Sequence, residues 1–229
     1  MDAKENECAA MLAILDRLDL KGALVTMDAI ATNPAMAEAI TSRGGDYLLA
    51  LKRNQMTLHR EVEAFFADPH ASGVETVREV DKDHGRLETR TVSVSREVGW
   101  VSGSRRHPGE PRFPGLATLV RATTRVESRG ATSEQTRYFI SSAPLDAAAA
   151  ARAVRSHWGV ESLHWVLDVV FREDQSRLRR GHGARNMALV RRFAFNIVRA
   201  GRGKTSIKTA RKAAGWDPSF LASLLNYTR

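Results

Sequence analysis

The stretch from His157 to Asp174, H-W-G-V-E-S-L-H-W-V-L-D-V-V-F-R-E-D, concentrates residue types that hold metals, move protons or contact phosphates. Wound at about 100° per residue, it would place Val160, Leu163, Leu167, Val170 and Phe171 on one apolar stripe. The same winding sets Glu161, His164 and Asp168 on the flank of that stripe. A carboxylate beside an apolar helix face is aimed and partly desolvated, which suits divalent-metal binding or acid-base work. An amphipathic helix whose acids only pair with neighbours such as Arg155 or Arg172 has the same pattern, so both readings stay open.

The elements that must position these residues alternate strand and helix. Glu5 to Leu18 reads as a helix, and Ala23 to Met27 as a short strand that delivers Asp28 at its carboxyl end. Asn33-Pro34 opens a helix that Gly44-Gly45 stops, and Tyr47 to Leu51 is a second apolar strand ending at Lys52. A strand-helix-strand unit of this length defaults to a parallel crossover, which brings Asp28 and Lys52 to one edge of a sheet. In open α/β sheets that edge is where ligands bind, and an acid beside a cation suits a phosphodiester. A third helix spans Thr57 to Phe66. From Thr76 the period changes to two, predicting a hairpin that turns near Asp83-His84-Gly85. Gly99 to Gly115 reads as a loop; Ala117 to Glu127 and Gln135 to Ser142 read as strands, and Asp146 as the cap of an alanine-rich helix leading into His157. An apolar helix through Met187 to Val198 and a short Phe220 to Leu225 segment complete the chain.

Charge is distributed unevenly. The chain carries +9, but Arg172 to Arg229 holds 14 Lys and Arg against 3 Asp and Glu, leaving the first 171 residues at −2. A block this basic repels itself and points to a polyanionic partner, although a solvated basic face would show the same composition. His84, Arg86, Arg177, Arg179, Arg180, Lys208, Arg211 and Lys212 are the cationic candidates for a nucleic-acid backbone. The single Cys8 excludes an internal disulfide or a multi-cysteine zinc site. No run approaches the roughly 18 apolar residues of a membrane span, and the acidic N-terminus lacks secretory character, so a cytoplasmic, nucleoid-associated protein is expected.

Several blocks resemble one family in order along the chain. His157-Trp158-Gly159-Val160-Glu161, Leu163-His164-Trp165-Val166-Leu167-Asp168-Val169 and Phe171-Arg172-Glu173-Asp174 resemble the C-terminal signature of bacterial insertion-sequence transposases of the DDE type. Val25-Thr26-Met27-Asp28-Ala29, Gly44 to Lys52 and Asn54-Gln55 resemble that family's second-aspartate block, and His84 to Arg90 resembles a block between them. The resemblance implies an α/β, ribonuclease-H-like mixed sheet flanked by helices, with a β-rich insertion before the C-terminal helices. It implies that Asp28 and Glu161 are two of three carboxylates that bind two Mg2+ (or Mn2+) ions about 3.5–4 Å apart for attack on DNA phosphate. Where relatives carry a DNA-contacting Arg, this chain has His157; Trp158 and Trp165 are candidates for stacking or for the core.

The chain departs from the family pattern at two places. No Asp-bearing strand precedes the first helix, so the expectation is a chain missing the fold's first strands and first aspartate, inactive alone, with a separate N-terminal transposase fragment as a candidate partner. The spacing after Glu161 is also one residue shorter than the family pattern, which on a helix rotates the later residues by about 100°. The expected divisions are a partial catalytic core over 1–70, the insertion over 71–143, catalytic helices over 144–200 and a basic tail over 201–229. Three functions compete: a transposase fragment acting as a homodimer on double-stranded transposon ends and target, a non-catalytic DNA-binding remnant or regulator, and a zinc hydrolase built on His157, His164 and His182.

Overall fold

In the computed structural model, residues 3–83, 85–102, 112–128 and 130–226 are described. The chain divides into two compact units, Met1–His157 and Trp158–Arg229.

Unit 1 is built on one six-stranded mixed sheet. Its strands are β1 (Leu24–Met27), β2 (Asp46–Leu51), β3 (Val74–Asp83), β4 (Arg86–Ser95), β5 (Thr118–Ser128) and β6 (Ala131–Ser141), in the spatial order β1-β2-β6-β5-β4-β3. β1 and β2 are parallel, in register from Leu24 opposite Asp46 to Met27 opposite Leu49; every other pairing is antiparallel. The helices of this unit are α1 (Ala3–Leu15), α2 (Pro34–Thr41), α3 (Met56–Ala67), the short α4 (Gly99–Ser102) and the first part of α5 (Ala147–Trp165).

Local chemistry explains the boundaries. Asn33 caps α2 by accepting from the Met36 amide at 3.0 Å, and Pro34 takes the first turn, where its missing N–H is harmless. Gly45 follows the helix because a Cβ there would stand 2.9 Å from the Leu20 carbonyl oxygen. Asp146 caps α5 by accepting from the Ala149 amide at 2.6 Å.

Strand alternation then sorts the core into two layers. Tyr47, Leu49 and Leu51 of β2 face a cluster with Met36, Ile40, Leu58, Val62 and Phe66 from α2 and α3. Leu48 and Ala50 face the other way, toward Val94, Val120, Phe139 and the Ala147 and Ala150 side of α5. Helices on both faces of a mixed sheet are the α/β, ribonuclease-H-like arrangement that the motifs implied. β1 is only half-buried, unlike the fully buried strand expected, because it lies at the sheet margin.

β3 to β6 extend the β1–β2 pair as one continuous sheet. In β6 the last four residues are buried and the first six exposed, so the two hairpins run well past the core. β2 and β6 are also clamped by side chains: Ser141 Oγ donates to the Tyr47 carbonyl at 2.7 Å, and the Tyr47 amide donates to Ser142 Oγ at 2.9 Å.

Unit 2 begins in the last turns of α5 and continues through a π-helical turn, Val166–Val170, to α6 (Gly183–Gly201), α7 (Ile207–Trp216) and α8 (Pro218–Asn226). Its small core joins Val198, Ala210 and Leu224, with Ile197, Ile207, Ala214 and Phe220 at the margin. Ser206 caps α7 through the Thr209 amide, and Asp217 caps α8, accepting from the Ser219 and Phe220 amides.

Candidate functional site

The carboxyl edge of β1 and β2 brings four side chains together. Asp28 leaves β1 in extended conformation and accepts from the Ala29 amide at 2.7 Å, capping the single 3-10 turn Ala29–Ala31. Lys52 leaves the neighbouring parallel strand, and its Nζ donates to Asp28 Oδ1 at 3.1 Å. From α5, His157 Nδ1 shares a 3.0 Å hydrogen bond with Thr26 Oγ1, two residues before Asp28 on β1. Partial burial pushes the Asp28 carboxyl up, but the Ala29 amide, Lys52 and the nearby His157 charge outweigh it and hold the group below the ordinary aspartate range. Asp28 is therefore a solvent-facing, ionised carboxylate with a fixed cation beside it.

A polar brace holds the turn that carries Asp28. Asn54 Nδ2 donates to the Ala29 carbonyl and, at 3.3 Å, to that of Thr32, and Gln55 Nε2 donates to the Thr32 carbonyl at 3.1 Å. Thr32 Oγ1 reaches back to the Ala50 carbonyl at 2.7 Å in a buried bond. Side chains thus satisfy backbone oxygens on both sides of the junction, so the loop after β1 is locked onto the end of β2. In the sequence, Thr26 and Asn54-Gln55 stand out only as parts of the second-aspartate blocks, without this work, and Thr32 does not stand out. The available signal was two side-chain amides placed directly after an apolar strand.

The other candidates lie in unit 2 or on the hairpins. Glu161 and His164 are exposed on the last turns of α5, which runs through Gly159 without a break; Trp158 is half-buried. Asp168 falls within the wider π turn and so departs from the α-helical phase that grouped it with Glu161 and His164. Leu167 and Val170 are buried as the apolar stripe required, whereas Val160 is half exposed, and Trp165, at 59 % exposure, is a surface rather than a core residue. Arg172 then takes a positive φ of 54° as the chain leaves the π turn, a conformation that L-residues adopt at a cost.

Arg177, Arg179 and Arg180 stand exposed in the irregular segment before α6, and Lys208, Arg211 and Lys212 are exposed on α7. The Arg211 guanidinium also lies 5.5 Å from the centre of the Phe171 ring. On the hairpin, Arg86 pairs with Glu88 at 2.8 Å, so its charge is partly neutralised within the sheet, and His84 lies outside the described residues. Within neither unit do three or more His, Cys, Asp or Glu side chains among the described residues group in a way that could hold a metal ion. Among those residues, too, no helix is long and apolar enough to cross a membrane.

Residues 1–197 match the family described as Transposase DDE domain. The chain is 35 % identical over 231 residues to a protein of Escherichia coli O157:H7 named "Putative transposase YncI", covering 98 % of this chain and 58 % of that protein. It is 35 % identical over 240 residues to the "H repeat-associated putative transposase YhhI" of Escherichia coli K12, covering 98 % and 60 %. An uncharacterised protein of Xanthobacter autotrophicus is 42 % identical over 149 residues, covering 64 % and 48 %. The chain spans about three fifths of the length of the two Escherichia coli relatives.

Proposed function

The chain belongs to the DDE transposase family, and on that premise we propose that it works in DNA transposition of an insertion sequence, in metal-dependent strand cleavage and transfer at terminal inverted repeats. The observation that carries this reading is the β1–β2 edge, where Asp28 is ionised, oriented by Lys52 and the Ala29 amide, and neighboured by His157. A phosphodiester repels an incoming nucleophile until its own charge is countered. Lys52 supplies a cationic group beside the carboxylate, and the Asn54-Gln55 brace keeps that carboxylate from moving away.

Asp28 and Glu161 are the residues that would hold Mg2+ or Mn2+, since hard divalent cations select carboxylate oxygens. When bound, such ions would activate a water or a 3′-hydroxyl for in-line attack on phosphate. The donor type fits, but the number falls short, because Asp28 and Glu161 leave a three-carboxylate set incomplete. These 229 residues by themselves are proposed not to cut DNA, a further carboxylate being supplied from outside them. The exposed cations of unit 2 would grip duplex DNA, two copies would hold paired ends, and the nucleoid would be the place of work.

The twelve cations without an acid between Asp174 and Asp217 also fit a second reading, a non-catalytic DNA-binding regulator. Electron paramagnetic resonance during Mn2+ titration of the chain separates the two. Weak binding that Asp28→Asn abolishes supports the transposase site, whereas no Mn2+ binding at all, or binding unchanged in Asp28→Asn, removes Asp28 from metal chemistry and leaves the regulator. End-labelled duplex carrying the element's inverted repeats is expected to be bound and left intact. Robust Mg2+-dependent cutting by the purified chain would overturn the incomplete ligand set.

A further inference from the structure

Helix α7 lies beyond the residues that match the DDE domain, which end at 197. Its apolar side is taken up by the fold, with Ala210 fully buried and Ile207 and Ala214 packed around it against α6 and α8. Helical winding puts Lys208, Lys212 and Trp216 on the opposite side with Gly215 beside them, and all four are exposed, whereas Arg211 lies on the flank toward the Phe171 ring. No Asp or Glu occurs between Asp174 and Asp217, a stretch holding twelve Lys and Arg; the nearest acid in the sequence, Asp217, directly follows Trp216 and is engaged in capping α8 through the Ser219 and Phe220 amides.

Two residues on that face have no account within the fold. Glycine weakens a helix interior relative to alanine, yet Gly215 has no left-handed φ, and a Cβ there would meet nothing within 4 Å. Neither backbone geometry nor packing in this structure asks for a glycine. Trp216 is 78 % exposed, the largest exposure among the big apolar side chains described. A glycine with open space beside it and an uncovered indole one residue on are what a surface needs if another backbone is to come against the helix there.

We propose that this face of α7 docks on duplex DNA, with Lys208 and Lys212 on phosphates, Gly215 admitting the sugar-phosphate backbone against the helix, and Trp216 covering sugar or base surface at the end of the contact. The proposal rests on the reading of the chain as a DNA-handling protein and adds to it a specific element outside the family-matched residues. A membrane surface fits less well, because interfacial helices need a broad apolar face and that of α7 is already buried in the small core.

The test is fluorescence anisotropy of a labelled duplex with the full 229-residue chain, beside thermal unfolding of each variant. Lys208→Gln with Lys212→Gln is expected to weaken binding roughly tenfold and to flatten the dependence of log affinity on log salt by about two, near 0.9 for each phosphate lost. Trp216→Ala should weaken binding about fivefold or more. Gly215→Ala is the sharpest arm: its unfolding midpoint should hold or rise while its affinity falls severalfold, a combination that a purely structural glycine would not give. If the wild-type chain binds duplex and these variants bind equally well, the α7 surface is overturned while the DNA-handling reading stands. A wild-type chain that fails to bind duplex even at low salt overturns both. Binding to phosphatidylglycerol vesicles in place of duplex, lost in the same variants, would reassign the face to lipid.

Discussion

Unit 1 and unit 2 treat charge in opposite ways. In unit 1 many cations have acids beside them: Lys52 with Asp28, Arg86 and Arg90 with Glu88, Arg155 with Glu79 and Asp81, Arg125 with Glu127. In unit 2 the stretch between Asp174 and Asp217 has twelve cations and no acid, and several large apolar side chains, among them Trp165, Phe193 and Trp216, stand more than half exposed. Unit 1 also has a two-layered core around a sheet, whereas the buried apolar residues of unit 2 are few, Leu167, Val170, Phe195, Val198, Ala210 and Leu224 among the described residues. Paired charge over a large core is the design of a rigid platform that aims a carboxylate. On the proposed function, the uncompensated charge of the small helical body would gain its complement from a polyanion, whose binding releases counterions.

The largest expected effect probes the cores. Leu49→Ala, at a fully buried strand position packed against α2 and α3, should cost about 2–5 kcal/mol in chemical denaturation. Leu224→Ala should cost less, near the low end of that range, because the surrounding cluster is small and can collapse. Equal losses would show that unit 2 is as tightly packed as unit 1 and erase that part of the contrast.

Next in size, Arg177→Gln with Arg179→Gln and Arg180→Gln should lower duplex affinity on the order of 10- to 100-fold at moderate salt and flatten the salt dependence by nearly three. Lys52→Gln, which removes one cation already held by an acid, should change affinity by only a fewfold in the same gel-shift series. A larger loss from Lys52→Gln than from the triple variant would reverse the comparison.

A smaller effect of about 1 kcal/mol is expected from Thr32→Val, which keeps the shape but deletes the buried donor to the Ala50 carbonyl. Hydrogen exchange at residues 29–32 should then speed up while the β4–β5 amides stay protected; uniform exchange would deny the brace a local role.

The smallest concerns pH. The folded Asp28 carboxyl lies below its unfolded value, so its stabilising contribution is complete above about pH 4 and lost as pH falls through the lower folded value. With the side chain 58 % exposed, screening keeps that contribution under about 1 kcal/mol. In a carbon-detected NMR titration, Lys52→Met should move the Asp28 midpoint upward, and an unmoved midpoint would mean that Lys52 does not set its charge.

Short-range chemistry was legible in the residues alone. The Ala23–Met27 and Tyr47–Leu51 runs, the Asn33-Pro34 start and the glycine stop determine a parallel β-α-β unit, which is why Asp28 and Lys52 could be placed at one edge. The basic imbalance beyond Phe171 was equally plain, since net charge needs no fold to be counted. Pairing between distant segments was not legible. That β6 joins β2 and makes one sheet of the hairpins, that His157 reaches Thr26, that Asn54 and Gln55 hold the Asp28 turn, and that the helix after Glu161 passes into a π turn were decided by tertiary contacts. Caps, turns and charge act over a few residues and leave their mark in local spacing, whereas strand partners and the far ends of side-chain hydrogen bonds are selected by which surfaces meet when the core closes.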